Sequence, residues 1–304
     1  MGNWSTLLTE QRNPASERLD EVSTLAMLAM INGEDARVPT AVATQLQPIA
    51  HAVDLVAAQL GRGGRLFYLG AGTSGRLGIL DAAECPPTFS ADPQQIQGII
   101  AGGPDAIFQA VEGAEDDGDG AHGELIQRQL SAADVVMGIA ASGVTPFVLG
   151  GLTHASAEQC PTIFFTCSPS AATQVAADIV IAPEVGPEVI TGSTRMKAGT
   201  ATKLVLNMIS TGAMVKLGKT YGNLMVDLQP TNAKLRDRTE RIFSALTGVD
   251  TAVASRQLQA ADGQLKLALV MELCAVDRSR AQDLLDTHGG IVKRAVAANA
   301  GAPL

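Results

Sequence analysis

Apolar residues from Leu19 to Ile31 recur at roughly helical spacing, with acids early in the stretch, and predict a first helix. A second helical run extends from about Val38 to Leu60 and stops at Gly61-Arg62-Gly63-Gly64. The period then changes. Arg65–Leu69 is a short apolar run followed by glycine, as a buried parallel strand would be. Similar runs follow at Ile96–Ile100, Val135–Ala140, Thr162–Thr166 and Ile179–Ala182. The intervening segments, Gly75–Ala83, Asp105–Glu112, Gly123–Leu130 and Pro146–Glu158, read as helices. Strands alternating with helices predict a three-layer α/β/α fold with a mainly parallel sheet and ligands at the carboxyl ends of its strands. After Pro183 the pattern becomes helical: Lys197–Leu217 predicts one long helix, rich in small residues on part of its surface. From about Asn232 only helical signals remain, among them Arg236–Leu246, Gln264–Cys274 and Ser279–Leu285, with a short helix after Gly289-Gly290. The expected organisation is an N-terminal helical segment (1–52), an α/β ligand-binding domain (53–231) and a C-terminal helical subdomain (232–304).

Composition narrows the function. A chain of 304 residues, 46% hydrophobic, can bury a full core. Aromatic content of 3% offers no stacking platform for single strands, and a net charge of −9 gives no footprint for nucleic acid. An anionic ligand must therefore be held by local groups against the overall field. Cys85, Cys160, Cys167 and Cys274 form no CxxC and no metal spacing with His51, His122, His154 and His288, so no metal or other cofactor is expected. The opening MGNWSTLLTEQRNP lacks a signal-peptide layout, its loose fit to a myristoylation pattern has no polybasic follow-up, and no apolar run approaches the ~20 residues that span a bilayer. The expectation is a cytoplasmic protein without membrane contact.

Three hydroxyl-rich loops stand between a strand and a helix or at a helix start. Gly70-Ala71-Gly72-Thr73-Ser74-Gly75 fits the dinucleotide pattern G-x-G-x-x-G. The next strand, however, ends in Ala101-Gly102-Gly103, with no acid placed for a ribose. Thr73 and Ser74 instead suit a small polar ligand. Ala141-Ser142-Gly143-Val144-Thr145-Pro146 is the second loop; Thr145 can simply cap a helix opening at Pro146, yet Ser142 and Thr145 also mark an anion site. The third, Thr191–Thr200, places Ser193, Thr194 and Lys197 where they could face a ligand. Together the loops describe a pocket for a polyhydroxylated phosphate ester.

Acids complete the set. Glu84 in Asp81-Ala82-Ala83-Glu84-Cys85-Pro86-Pro87 reads as the end of a helix, where the macrodipole disfavours a carboxylate unless it is solvated or placed for use. Glu112-Gly113-Ala114-Glu115-Asp116-Asp117 is either a solvated acidic turn or the source of a carboxylate whose proton affinity is raised by like charges and burial.

With these motifs the chain resembles the N-acetylmuramic acid 6-phosphate etherase family of the sugar isomerase (SIS) superfamily. The matching residues are Leu8–Pro14, Tyr68–Gly78 with Asp81 and Glu84-Cys85-Pro86-Pro87, Glu115-Asp116-Asp117, Gly186–Ala201 and Gly289–Ala295. Ala26 and Thr202 depart from the family pattern, which leads one to expect Glu and Gln there. The resemblance implies a SIS-type domain, a homodimer, and an amino-sugar 6-phosphate substrate carrying D-lactate as an ether at C3. It implies elimination without metal: a base takes the C2 proton of the ring-opened sugar, an acid protonates the departing lactate, and water adds back. Glu84 is then the expected acid and Glu115 the expected base, with Glu112 its rival. A sugar-phosphate aldose–ketose isomerase and a non-catalytic sugar-phosphate sensor share the loops; the paired acids favour the etherase.

Overall fold

The computed structural model describes residues 4, 7–228 and 233–301. Three helices open the chain, α1 (Thr24–Asp35), α2 (Val38–Ala43) and α3 (Leu46–Leu60). The first starts later than its apolar spacing predicts, because the Ser23 hydroxyl accepts the backbone N–H of Ala26 and caps the helix there. Five strands follow: β1 (Leu66–Gly70), β2 (Ile96–Ile100), β3 (Val135–Ile139), β4 (Thr162–Phe165) and β5 (Ile179–Ile181). All pair in parallel, in the order β2-β1-β3-β4-β5. Interleaved with them are α4 (Gly72–Phe89), α5 (Gly120–Gln127), α6 (Pro146–Ala157) and the short α7 (Pro169–Ala172), with α8 (Lys197–Lys216) after the sheet.

Further predicted helices differ, among them the single run over 38–60, which breaks at Thr44-Gln45 into α2 and α3. The segment expected as a helix over 105–112 forms only a 3-10 turn, Pro104–Ile107, and then runs irregularly into a second turn at Ala114–Asp116. Helix α4 does not stop at Ala83; it runs through Pro86 and Pro87. Proline's fixed φ is compatible with a helix, although each ring removes one N–H donor from the ladder. The Ser90 N–H reaches the Pro86 carbonyl and ends the helix beyond both prolines.

The chain divides into two compact units, one of Met1–Ala83 with Pro93–Ser210 and one of Glu84–Asp92 with Thr211–Leu304. In the first, β1 is wholly buried and packs Phe67 and Leu69 with Val148, Leu152 and Phe164. The second contains an unforeseen antiparallel ribbon, β6 (Thr220–Tyr221) and β7 (Leu224–Met225), and helices α9 (Ala233–Thr247), α10 (Thr251–Ala260), α11 (Leu265–Cys274), α12 (Arg278–Thr287) and α13 (Val292–Asn299). Its core gathers Phe243, Leu258, Leu269 and Val292. The boundary suggested between 231 and 232 lies outside the described residues. Among the described residues, no helix is long and apolar enough to cross a membrane.

A buried carboxylate ties β1, α4 and α8 together. Asp81 accepts hydrogen bonds from Tyr68 Oη (2.9 Å), Asn207 Nδ2 (2.6 Å) and Ser210 Oγ (3.0 Å). Removing the acceptor would strand three donors, each unsatisfied group costing about 1–3 kcal/mol. Asp81→Ala is therefore expected to lower unfolding stability by roughly 3 kcal/mol or more in urea titrations; a loss below about 1 kcal/mol would show that the network contributes little.

Candidate active site

The site is built at the carboxyl end of β1, which pairs with β2 on one side and β3 on the other, Gly70 standing level with Ile100 and Ile139. The chain order reverses there, the place where open α/β sheets bind ligands. The first two hydroxyl loops leave the sheet side by side. Thr73 and Ser74 sit half-buried in the first turn of α4. Ser142 precedes Gly143, whose φ of +85° favours glycine, and Thr145 precedes α6. Thr145 occupies the cap position, but its hydroxyl caps nothing. Among the described residues, none of Thr73, Ser74, Ser142, Thr145, Ser193 and Thr194 commits its hydroxyl to another side chain or carbonyl. The third loop is close by: a Cβ on Gly199 would lie 3.6 Å from the Thr73 methyl.

The third loop differs from expectation at Lys197. The side chain is 1% exposed, and its Nζ is bonded to Glu34, so it does not face an open pocket. Glu34 is also held by Asn13 Nδ2 (2.9 Å) and Arg37 Nη1 (3.0 Å). Burial alone would raise its pKa, but these bonds, Lys197's first, hold it down to about 2. The start of α8 is occupied as well: Glu188 accepts the backbone N–H groups of Lys197 (3.0 Å) and Ala198 (2.9 Å). Burial nevertheless pushes the Glu188 carboxyl above the usual range. What remains for a ligand on this loop is the half-buried pair Ser193 and Thr194. The N-terminal segment clasps the loop's approach, Asn13 donating to the Pro187 carbonyl (3.0 Å) and Ser16 to that of Val189 (2.9 Å).

Glu115 lines a cleft of about 190 Å³ together with Ala71, Gly72, Arg76 and Glu112. Its turn packs on α6, where a Cβ on Gly150 would fall 1.8 Å from the Gly118 carbonyl oxygen; only glycine allows that approach. Glu115 is exposed, so burial does not act on it as expected. Glu84 is exposed within α4 and belongs to the second unit. It is not at a helix end, because α4 continues five residues beyond it to Phe89, and the macrodipole argument for it lapses. One hydroxyl passed unnoticed in the sequence. Ser168, after β4, is fully buried, and among the described residues its Oγ has no partner. Its signal was available, since Thr166-Cys167-Ser168 repeats the strand-then-hydroxyl pattern of the other loops.

The family model described as the glucokinase regulatory protein N-terminal SIS domain matches residues 48–156, from α3 to α6. Two curated relatives, from Yersinia pestis (strain Pestoides F) and Yersinia pseudotuberculosis serotype O:1b (strain IP 31758), are each named N-acetylmuramic acid 6-phosphate etherase. Each is 53% identical over 290 residues, covering 95% of this chain and 98% of the relative. The chain belongs to the N-acetylmuramic acid 6-phosphate etherase family. A solved phosphoheptose isomerase from Francisella tularensis aligns with 64% of this chain and all of its own at 14% identity and a TM-score of 0.49, too remote to bear on the site. The etherase family is thus matched through both units, including the third loop and the helices after it.

Lys197 is expected to act on stability. Lys197→Met leaves Glu34 buried with one cation fewer, at a cost of roughly 3–5 kcal/mol in chemical denaturation. Glu34 is held near 2 when folded against an ordinary 4.5, so its contribution is complete above 4.5 and is lost as pH falls toward 2. The variant should show a flatter decline of stability across that acid window; an unchanged slope would mean that Lys197 does not hold the carboxylate charged.

Proposed function

We propose that the chain cleaves the D-lactyl ether of N-acetylmuramic acid 6-phosphate by elimination and hydration, giving N-acetylglucosamine 6-phosphate and D-lactate. The observation that carries this reading is an acid-lined cleft beside the first hydroxyl loop, in a chain 53% identical over nearly its whole length to proteins named for that etherase. The phosphate is bound by Ser142 and Thr145 at the start of α6 and by Ser193 and Thr194, with Thr73 and Ser74 serving the sugar or the phosphate nearby. These neutral donors suit an anion in a chain of net charge −9. Lys197 supports this set by holding the third loop through Glu34.

Opening the sugar ring makes the C2 proton acidic and places the C3 ether oxygen β to the aldehyde. Glu115 takes that proton. The C3–O bond breaks as electrons shift into the new C2–C3 double bond, and Glu84 protonates the lactate oxygen. Water then adds at C3 and C2 is reprotonated, which restores the sugar with its oxygen taken from solvent. The enzyme works in the cytoplasm as a homodimer. Ala198, Ala201 and Ala213, small residues of α8, are buried within the chain. An outward apolar face stands instead on α1, where Leu25 is 80% and Leu28 56% exposed.

Positioned acids and bases contribute typically ~10²–10⁴ in rate. Glu84→Gln is expected to exchange deuterium from solvent into C2 while failing to release lactate, and Glu115→Gln to lose both. Normal exchange in Glu115→Gln would transfer the base role to Glu112; exchange lost in Glu84→Gln alone would reverse the two roles. Ser142→Ala should weaken substrate binding by about 1.5–3 kcal/mol, one charge-assisted hydrogen bond; unchanged affinity with alanine at both 142 and 145 would displace the phosphate from that loop. Sedimentation should show a dimer at assay concentration, and a fully active monomer would refute it.

A further inference from the structure

Arg76 follows the first hydroxyl loop on α4, and its guanidinium is fixed along one edge. Its Nε donates to the Ile107 carbonyl (2.9 Å) and its Nη2 to that of Gln109 (3.2 Å). Those carbonyls belong to the irregular segment leading to Glu112 and Glu115, and all three side chains line the same cleft. Among the described residues Arg76 makes no ion pair, and its Nη1 has no partner. A planar cation held at one edge and bare at the other is set up to receive a planar oxyanion in two parallel hydrogen bonds. The carbonyl clasp removes much of the side-chain entropy that such a contact would otherwise cost.

The substrate proposed above carries two anions, and this inference rests on that reading. Hydroxyls and a helix start serve the phosphate, whose tetrahedral oxygens they can surround. The lactyl carboxylate is planar and hangs from C3, next to the carbon on which Glu115 acts. A guanidinium sharing the cleft with Glu115 is therefore the group within its reach. Two carboxylate side chains in the cleft repel a second anion unless a cation stands there to offset them, and Arg76 is that cation. We propose that Arg76 binds the lactyl carboxylate and is the residue by which this site prefers the ether to the sugar phosphate it releases. The amino-sugar product lacks the carboxylate and loses this contact, which favours its departure.

The test compares binding of three ligands by competition: N-acetylmuramic acid 6-phosphate, its 3-O-ethyl counterpart without the carboxylate, and N-acetylglucosamine 6-phosphate. Wild-type protein should favour the carboxylated ether over the ethyl ether by about tenfold to a hundredfold, the range of one charge-assisted contact. Arg76→Met should abolish that preference and leave the other two affinities within about threefold. Arg76→Lys, which keeps the charge without the fork, should retain part of it. Equal loss for all three ligands would assign Arg76 to the phosphate or to loop support and overturn the proposal. So would a wild-type protein that binds both ethers alike, whatever the variants do. Lactate release by the wild type is read in parallel. Its absence would remove the etherase reading, whereas lactate release without an ether preference would remove only the role of Arg76.

Discussion

Parallel pairing of β1 on both sides is the constraint on which the site depends. A strand hydrogen-bonded to β2 and β3 in parallel sends all three chain exits to one edge, so the glycine-hydroxyl loop, the approach to the acid turn and the second hydroxyl loop meet there. The register is held by complete burial of β1, because a slip of one residue would turn its packed side chains to the opposite face. Asp81 extends the same constraint to the helices, since its bonds to Tyr68, Asn207 and Ser210 link strand and helices through one carboxylate.

Charge is handled locally throughout the first unit. A chain of net charge −9 can take an anion only where donors outnumber acids at short range. At the start of α6 the hydroxyls of Thr145 and Ser142 are unengaged among the described residues. At the start of α8 the N–H groups of Lys197 and Ala198 already donate to Glu188, so the hydroxyls of Ser193 and Thr194 are the donors left on that loop. Two similar loop sequences thus differ in which backbone donors are free, because of one acid standing nine residues upstream of Lys197. The effect is to fix the third loop rigidly while leaving its hydroxyls available.

Much of the fold was legible because buried parallel strands are short, apolar and closed by glycine or small polar residues. β1 to β5 therefore fall within a residue of the apolar runs that mark them. The fate of α4 was not legible. Two adjacent prolines ordinarily end a helix, and only the continued turn to Ser90 shows that they are absorbed. In place of the helix expected over 105–112, the carbonyls of Ile107 and Gln109 accept from Arg76, a tertiary contact that local propensity cannot register. Hydroxyl positions were readable from their place after strands. The role of Lys197 was not, since its partner Glu34 is distant in sequence and carries no motif. Ser168 was missed although it follows the same rule as the loops that were found.

The Lys197–Glu34 pair spans 163 residues, and that separation orders events as the chain is made. Glu34 leaves the ribosome early and stays hydrated, because burying it without its ammonium partner is unfavourable. The segment from Asn13 to Glu34 consequently cannot settle against Pro187 and Val189 until all five strands and the start of α8 have been synthesised. The earliest part of the polypeptide thus waits for partners that follow the last strand of the sheet, and its native contacts cannot form before them.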